Sequence, residues 1–578
     1  MRKTMKRFFA MTLTVLLLVG CFAGCGTEDS EDWKKPPEVT LATKNAEGLY
    51  TTDPVTLTVA VNRHPEAVTE SDQIWYFKYM EYWFAQQGYD VTINVETVDN
   101  DSQLNLMMNS NSMPDIVWAH SLSTSEVVRY GVDEQLLLDW TPYLTPELMP
   151  NLLAQYEKNP SMRAAQTAPN GGIYGLPYIT PYPYSTIPGM TNRMFVRKSW
   201  LDAAGITSMP TTQEEFLNML RAFKNVQIAG KRTTPLISTY SFLEKYLWTC
   251  LGFYGTDGTT FGTEFMIKDE QVYLPAYTEE YKEFVKIMHT MYSEGLIPAD
   301  YYTTSNDQKI AKINDGSTGV HAYYTLQYVG DDYADQVLLG PIPMGGNDDV
   351  YVSRLSDYTL NTVWVSSATK YPEVVALMMD FMYSEEGSML YMYGPELGTD
   401  PLGMVDGWFY DDNGLITTYM VGEGKPYSLM ELYARDYIRP HDYAGLRVDP
   451  VTTGTGELIT YTDAVTGAPY TVIHDRTMTR SSNDEWWRLE TIETWSPYAT
   501  SIRLPEAYLS KTQMDEMTMI GQAIKTWINN ETARFITGKR PLSELDKFMD
   551  ELRGLGVEDY IAAYRAAYQD FLNRTFGQ

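Results

Sequence analysis

The chain carries six histidines, at 64, 120, 289, 321, 441 and 474, and no two are spaced four apart as a helical metal pair would be. It contains no HExxH, no G-x-S-x-G, no Walker A and no G-x-G-x-x-G. Zinc proteolysis, serine acyl transfer and the common nucleotide-binding chemistries therefore lack their signature residues. The 75 Asp and Glu could include the carboxylate pair of a glycoside hydrolase, but nothing in their placement singles a pair out. Asp331-Asp332 and Asp348-Asp349 read as solvated loops, and Asp411-Asp412-Asn413-Gly414 reads as a surface turn and not a cation loop. The chemistry the composition does favour is non-covalent. There are 44 Tyr, 13 Trp and 19 Phe on a chain of formal charge -31. Rings that stack, beside side chains that hydrogen-bond, make a wet, amphipathic ligand surface. The acid excess offers no basic footprint for nucleic acid or for an anionic membrane face.

The elements that must position such groups can be read in order. Val55 to Val61 is β-branched and apolar, as in a strand buried on both faces. A helical pattern (Ile74, Phe77, Met80, Phe84) follows, then a strand at Tyr89 to Val95, a helix around Leu104 to Met108 and a strand at Asp115 to Trp118. This is a βαβ series and predicts a doubly wound parallel sheet. Ligands of such sheets sit beyond the carboxyl ends of the strands, which points to Asn62 and His64 and to Trp118 and His120. Residues 170–184 are rich in Gly and Pro and read as a crossover, where Tyr182 and Tyr184, spaced by prolines, can point outward. A strand from Gly189 to Val196 holds Arg193. Helices are expected at 199–204, 212–223, 277–295 and 371–386, a β-hairpin within 450–475, and helix over most of 512–578 with breaks at Gly538 and 554–556. Trp248 and Trp408 are further candidate ligand rings. The length, with 44% hydrophobic residues, suits two large domains with ample core.

The N-terminus sets the compartment. Arg2, Lys3, Lys6 and Arg7 precede the mostly apolar run Phe8 to Val19, too short to span ~30 Å of hydrocarbon but right for a secretory segment. Leu18-Val19-Gly20-Cys21 resembles the bacterial lipobox, with Cys21 the expected acylated residue and Cys25 the second choice. Loss of residues 1–20, which hold four cations and no acid, takes the formal charge from -31 to -35. The remaining cysteine, Cys250, stands in an apolar stretch and reads as a small core residue, so no disulfide framework is expected.

Several ordered segments resemble family 1 extracellular solute-binding proteins of carbohydrate ABC importers. Pro114-Asp115-Ile116-Val117-Trp118-Ala119-His120 is similar to the family's PDI segment. Gly172-Ile173-Tyr174-Gly175-Leu176-Pro177 is similar to its crossover, and Arg197-Lys198-Ser199-Trp200-Leu201 with Gly205 is similar to its R-x-D-W-L signature, with Ser199 at the Asp. Pro210 to Phe216, Gly340-Pro341-Ile342-Pro343, Lys370-Tyr371-Pro372-Glu373 and Phe535-Ile536-Thr537-Gly538 continue the resemblance to the C-terminus.

The resemblance implies a two-lobed α/β, periplasmic-binding-protein-like fold of type II. Residues 1–20 would be a lipoprotein signal peptide and 21–53 a flexible tether. Lobe 1 would be 54–180 with about 352–420, and lobe 2 would be 181–351 with about 421–578. It also implies a lipid-anchored, exported monomer that binds an oligosaccharide and partners ABC permease subunits. No cofactor and no catalysis are expected, although a surface glycan hydrolase or an adhesin lipoprotein are the alternatives. Tyr323 and Tyr324, after Gly319-Val320-His321-Ala322, resemble the place where relatives carry aromatic platforms. Two departures matter. Large relatives often carry a Ca²⁺-type loop after the helix ending near Phe223; here residues 224–232 hold no carboxylate, so no metal is expected. Ser121 and Leu122 follow His120 where maltodextrin-type members place charged sugar contacts, which points away from maltodextrin.

Overall fold

The computed structural model describes residues 33–62, 70–98, 101–109, 113–118, 121–180, 193–228, 230–256, 258–269, 271–322, 327–354, 356–410, 416–419, 426–427, 438–440, 444–446, 456–475, 490–504, 508 and 511–576. The chain divides into two units, residues 1–34 and residues 35–578, and the second holds every sheet and helix of the described residues. Among the described residues no helix is long and apolar enough to cross a membrane.

The first sheet has six strands: β1 (Val55–Val61), β2 (Val91–Thr97), β3 (Ile116–Trp118), β4 (Leu176–Ile179), β12 (Tyr358–Val365) and β16 (Gly445–Leu446), in the order β16-β4-β12-β3-β1-β2. β1 is parallel to β2 and to β3, as the βαβ reading requires. The helix Trp75–Gln86 buries Phe77, Met80 and Phe84, the spacing of one helical face, and its first residues Trp75 and Tyr76 are buried as well. The sheet is not wholly parallel. β12 returns from residue 358 and runs antiparallel to both β3 and β4, a direction that local composition does not encode.

The second sheet is built from β5 (Met194–Arg197), β6 (Thr234–Ser238), β9 (Thr318–Ala322) and β10 (Gln336–Leu339), in the order β10-β5-β9-β6. β6 and β9 are parallel, while β5 is antiparallel to both its neighbours. β5 begins at Met194, and the N-terminal part of the strand expected from Gly189 lies outside the described residues. Gly319 has a packing reason: a Cβ there would sit 2.5 Å from the Trp200 ring and 2.6 Å from Phe223, so the covering helices approach closer than alanine would allow.

Each sheet carries its own apolar core, so the molecule is a two-lobed α/β protein. The first core is built around Leu57, Trp75, Trp118 and Val375, and the second around Phe195, Trp248, Phe284 and Leu338. The C-terminal helices Lys511–Ile536, Leu545–Gly554 and Val557–Phe576 add Ile528, Phe535, Phe548 and Leu552 to the second core. There the buried Arg540 gathers Glu531 and Glu551, each at 2.7 Å, and Glu544 at 3.1 Å. Thr212 caps the helix Gln213–Phe223 by accepting from the Glu215 N–H. The helix expected at 371–386 is two, Pro372–Phe381 and Glu385–Tyr393, because Ser384 Oγ accepts from the Gly387 N–H and starts a new one.

Smaller sheets complete the fold. β7 (Met266–Lys268) pairs with β8 (Gln271–Tyr273), and β13 (Trp408–Tyr410), β14 (Ile416–Tyr419) and β15 (Pro426–Tyr427) form a meander. β17 (Gly456–Thr462) and β18 (Pro469–Asp475) make the expected hairpin. A parallel pair, β11 (Val352–Ser353) with β19 (Ala499–Thr500), joins segments from different parts of the chain.

Candidate functional site

Strand register fixes where loop residues emerge. Across the second sheet, Leu339 pairs with Met194, Met194 with Ala322 and Ala322 with Ser238, so these four form one row. The described residues next beyond that row are Gly340, Arg193 and Thr239. In the first sheet Val61 pairs with Trp118 and with Thr97. Because β12 is antiparallel to β3 and β4, its start lies at the same edge as the ends of those two strands. Asn62, Thr180 and Asp357 therefore leave from one edge. The segments 180–193 and 340–357 each begin on one of these two edges and end on the other.

The crossovers are tied to one another. The Thr180 N–H donates to the Asp357 carbonyl at 2.7 Å, so the outgoing and returning chains run side by side. The β11–β19 pair holds a third segment against the second, and Arg354 N–H donates to the Thr500 carbonyl at 2.8 Å. The hairpin tip locks onto this point. Buried Asp463 accepts from the N–H groups of Val465 (3.1 Å), Thr466 (3.0 Å) and Ser501 (2.6 Å) and faces Arg354 at 3.6 Å. Burial pushes its carboxyl up, but these N–H donors outweigh that and hold it below the usual range.

Of the site residues expected from sequence, Asn62 is half-buried at the end of β1. Trp118 ends β3 fully buried, stacked on Tyr391 with centroids 5.6 Å apart and edge-on to Phe77. Arg193 is also fully buried; its Nη1 donates to Thr491 Oγ1 at 2.7 Å, and desolvation lowers its pKa to about 9. Trp248 does not sit at the edge. It lies on the helix Phe242–Cys250, seven residues past the turn after β6 and so ~10 Å from it. There it stacks on Phe284 at 4.4 Å, inside the second core.

Trp408 is half-buried on β13, and its indole N–H donates to the Gly394 carbonyl at 3.1 Å. Its loop is pinned to the first turn of the helix Trp75–Gln86, where the Trp75 indole donates to Asp400 Oδ1 at 2.9 Å. His64, His120, Tyr182, Tyr184, Tyr323 and Tyr324 lie outside the described residues, as do Cys21, Cys25 and Asp411.

The structure adds a residue that the sequence did not mark. Asn361 sits buried in a bulge of β12 at φ +54°. Its carbonyl accepts from the Leu122 N–H at 3.1 Å and its Nδ2 donates back to the Leu122 carbonyl at 3.3 Å. This strained asparagine fixes the segment that follows β3. A lone Asn in the strand Tyr358–Val365 was the available signal.

Among the described residues no three His, Cys, Asp or Glu side chains are grouped to hold a metal. In the stretch after Phe223 the ammonium groups of Lys224 and Lys231 donate to the carbonyls of Glu294 and Asp315. Cys250 is buried in the second core, and desolvation pushes its thiol up to about 12, unsuited to nucleophilic work.

Comparison with known proteins accords with this geometry. A model of bacterial extracellular solute-binding proteins matches residues 68–389. The chain is 24% identical over 484 residues to the fructooligosaccharide ABC transporter substrate-binding protein FusA of Streptococcus pneumoniae serotype 4, covering 81% of this chain and 82% of that one. The structure of S. pneumoniae FusA with kestose has a TM-score of 0.68 at 19% identity, covering 89% of this chain and 99% of that one. An HMO-binding, ABC-transporter-associated solute-binding protein from Bifidobacterium longum infantis has a TM-score of 0.69 at 20% identity, with 89% and 98% covered. With that match over more than half of its length, and with two lobes joined by crossovers, the chain belongs to the family of bacterial extracellular solute-binding proteins.

Proposed function

We propose that this protein is the lipid-anchored receptor of an ABC importer, capturing an oligosaccharide between its lobes and delivering it to the permease subunits. The observation that carries the reading is the relation to FusA over four-fifths of both chains. Sugars present C–H faces to aromatic rings and a rim of hydroxyls to fixed polar groups. In this reading Asn62, His64 and His120 meet the ligand from lobe 1, Tyr182 and Tyr184 from the crossover, and Tyr323 and Tyr324 from lobe 2. Arg193 stands behind the second group, and Trp408 rims the first. The lobes are those bounded at about 180, 351 and 420, with β16 contributing to the sheet of the first. Closure turns on the tied crossovers around Thr180, Asp357 and Ser353. Binding completes the function, and no bond is made or broken.

Calorimetry of the mature chain against kestose, longer fructans, milk oligosaccharides, amino acids and peptides tests the ligand class. Heat from amino acids or peptides alone would end the sugar reading. Incubation with the sugar that binds should release no reducing ends. Mass spectrometry of the protein from membranes should find a diacylated N-terminal Cys21. An unmodified N-terminus beyond Cys25 would rule out the anchor.

A further inference from the structure

Residues 35–53, which fall within the expected tether, lie bound along the first lobe. Leu41, Leu49 and Tyr50 pack on its core. The Ala42 N–H donates to Glu373 Oε1 at 2.6 Å, and the Tyr50 N–H donates to the Tyr89 hydroxyl at 3.1 Å. Gln135 Nε2 donates to the Lys35 carbonyl at 3.2 Å. The turn between these contacts braces itself. Asn45 Oδ1 accepts from the Glu47 N–H at 2.9 Å and from the Leu49 N–H at 3.0 Å, with Gly48 at φ +83°.

These contacts share one end of the first sheet. Tyr89 precedes β2, and Val55, which opens β1, donates its N–H to the Asp90 carbonyl at 2.8 Å. β12 ends at Val365, paired with Ile116 at the start of β3, and Glu373 follows that end on the helix Pro372–Phe381. Gln135 is held there too, its carbonyl accepting from Ser367 Oγ at 2.8 Å. This is the edge where the parallel strands begin, opposite the one from which Asn62, Thr180 and Asp357 leave. The seven residues of β1 set the two edges ~23 Å apart.

We propose that residues 35–53 are a mount that fastens the lipid anchor to the first lobe, at the end away from the ligand edge; this rests on the lipid-anchor reading above. The leash from the acylated cysteine is then residues 21–34, with a reach of at most ~50 Å, where residues 21–53 would reach ~115 Å. The shorter reach is still about twice the height of β1, so the ligand edge can turn to the membrane with the mount in place. The mount holds first-lobe elements only, so closure swings the second lobe against a first that stays fastened.

Trypsin treatment of membranes holding the mature protein tests this. The released body should begin at Lys35 with the Lys44–Asn45 bond intact. In hydrogen exchange the amides of Ala42, Leu49 and Tyr50 should be at least about 100-fold slower than in an unfolded chain. Glu373→Ala and Tyr89→Phe each remove one acceptor, and should speed the cut after Lys44 by about 5- to 10-fold while the amides of β1 stay protected. A body that begins at Asn45, with those three amides exchanging at unfolded-chain rates, would refute the mount and leave the anchor standing. Two variants cut no faster than the wild type would refute it as well, since these contacts would then hold nothing. If neither Cys21 nor Cys25 is acylated on membranes, the anchor reading fails and the mount with it.

Discussion

Two buried ionisable groups in the second lobe should make its stability respond to pH in opposite senses, and single substitutions should separate them. His321, one residue before the end of β9, is buried and stacked on Phe195 at 5.4 Å. Neither of its ring nitrogens finds a partner among the described residues. Desolvation, then the charge of Arg197, lower its pKa from 6.5 to about 3. Arg197 is itself held by the carbonyls of Thr318 and Ile313 and faces Asp332 and Asp335. Between pH 6.5 and 3 the unfolded chain therefore binds the proton that the folded chain refuses, and stability falls as pH falls. At about 1.4 kcal/mol per unit, acidification from pH 7.5 to 5 costs about 2 kcal/mol.

Glu244 works the other way. It is buried on the helix Phe242–Cys250, Tyr301 donates to its Oε2 at 3.1 Å, and its Oε1 is unpartnered among the described residues. Burial raises its pKa from 4.5 to about 7, against the weaker pull of Tyr301, Lys309 and Lys245. The folded chain holds a proton here that the unfolded chain releases above pH 4.5. Stability from this group is present at low pH and is lost as pH rises towards 7, again by about 2 kcal/mol between pH 5 and 7.5. In the wild type the two contributions nearly cancel.

Urea unfolding at pH 5, 6 and 7.5 separates them, each variant being taken as a difference from the wild type so that all other groups drop out. His321→Phe keeps the stack on Phe195 and should gain about 2 kcal/mol on the wild type at pH 5 relative to pH 7.5. Glu244→Gln keeps the side-chain shape and an acceptor for Tyr301, and should gain a similar amount at pH 7.5 relative to pH 5. Differences that do not change with pH would refute the reasoning, since the protonation states would then match in the folded and unfolded chains.

Three further outcomes rest on packing. Asp463→Ala leaves Arg354, two N–H groups of the hairpin tip and that of Ser501 without their acceptor, and should cost about 3 kcal/mol in urea unfolding; a loss under ~1 kcal/mol would mean that the hairpin is not held there. Trp248→Ala should lower stability by about 3–5 kcal/mol yet leave the affinity of the folded fraction unchanged in calorimetry, and a selective loss of affinity would return Trp248 to the ligand. Gly319→Ala drives a methyl into the Trp200 and Phe223 rings and should cost about 1–3 kcal/mol, visible as a lower melting temperature; an unchanged one would contradict the close approach.

How far the site could be read from sequence depends on which physical signal each part carries. β1 and β3 announce themselves, because strands buried between layers must be runs of apolar, β-branched residues, and the edge strand β2 by the alternation of buried and exposed residues. Their ends are also legible, and those ends are where Asn62 and Trp118 stand. Residue type alone could not say which rings serve the ligand and which the core. Trp118 turns into the layer formed with Phe77 and Tyr391, and Trp248 into the layer formed with Phe284; only the packed structure shows that. Asn361 and Tyr240 were illegible for a further reason. Both occupy positive φ without glycine, a choice that only tertiary contacts distant in sequence can impose: Leu122 on Asn361, and Asn306 on Tyr240.

The location of the site is likewise a property of register and not of any one segment. Met194, Ser238, Ala322 and Leu339 are far apart in sequence, yet their pairing sets them in one row. A slip of one residue in β9 would turn its side chains to the opposite face. It would carry Val320 out of the core and draw the Ala322 carbonyl away from the Thr239 hydroxyl. The same contacts that bury the second core therefore set the edge at which the proposed site lies. Core substitutions in β9 should for that reason disturb binding before they unfold the lobe, which calorimetry beside urea unfolding would show as a loss of affinity at unchanged midpoint.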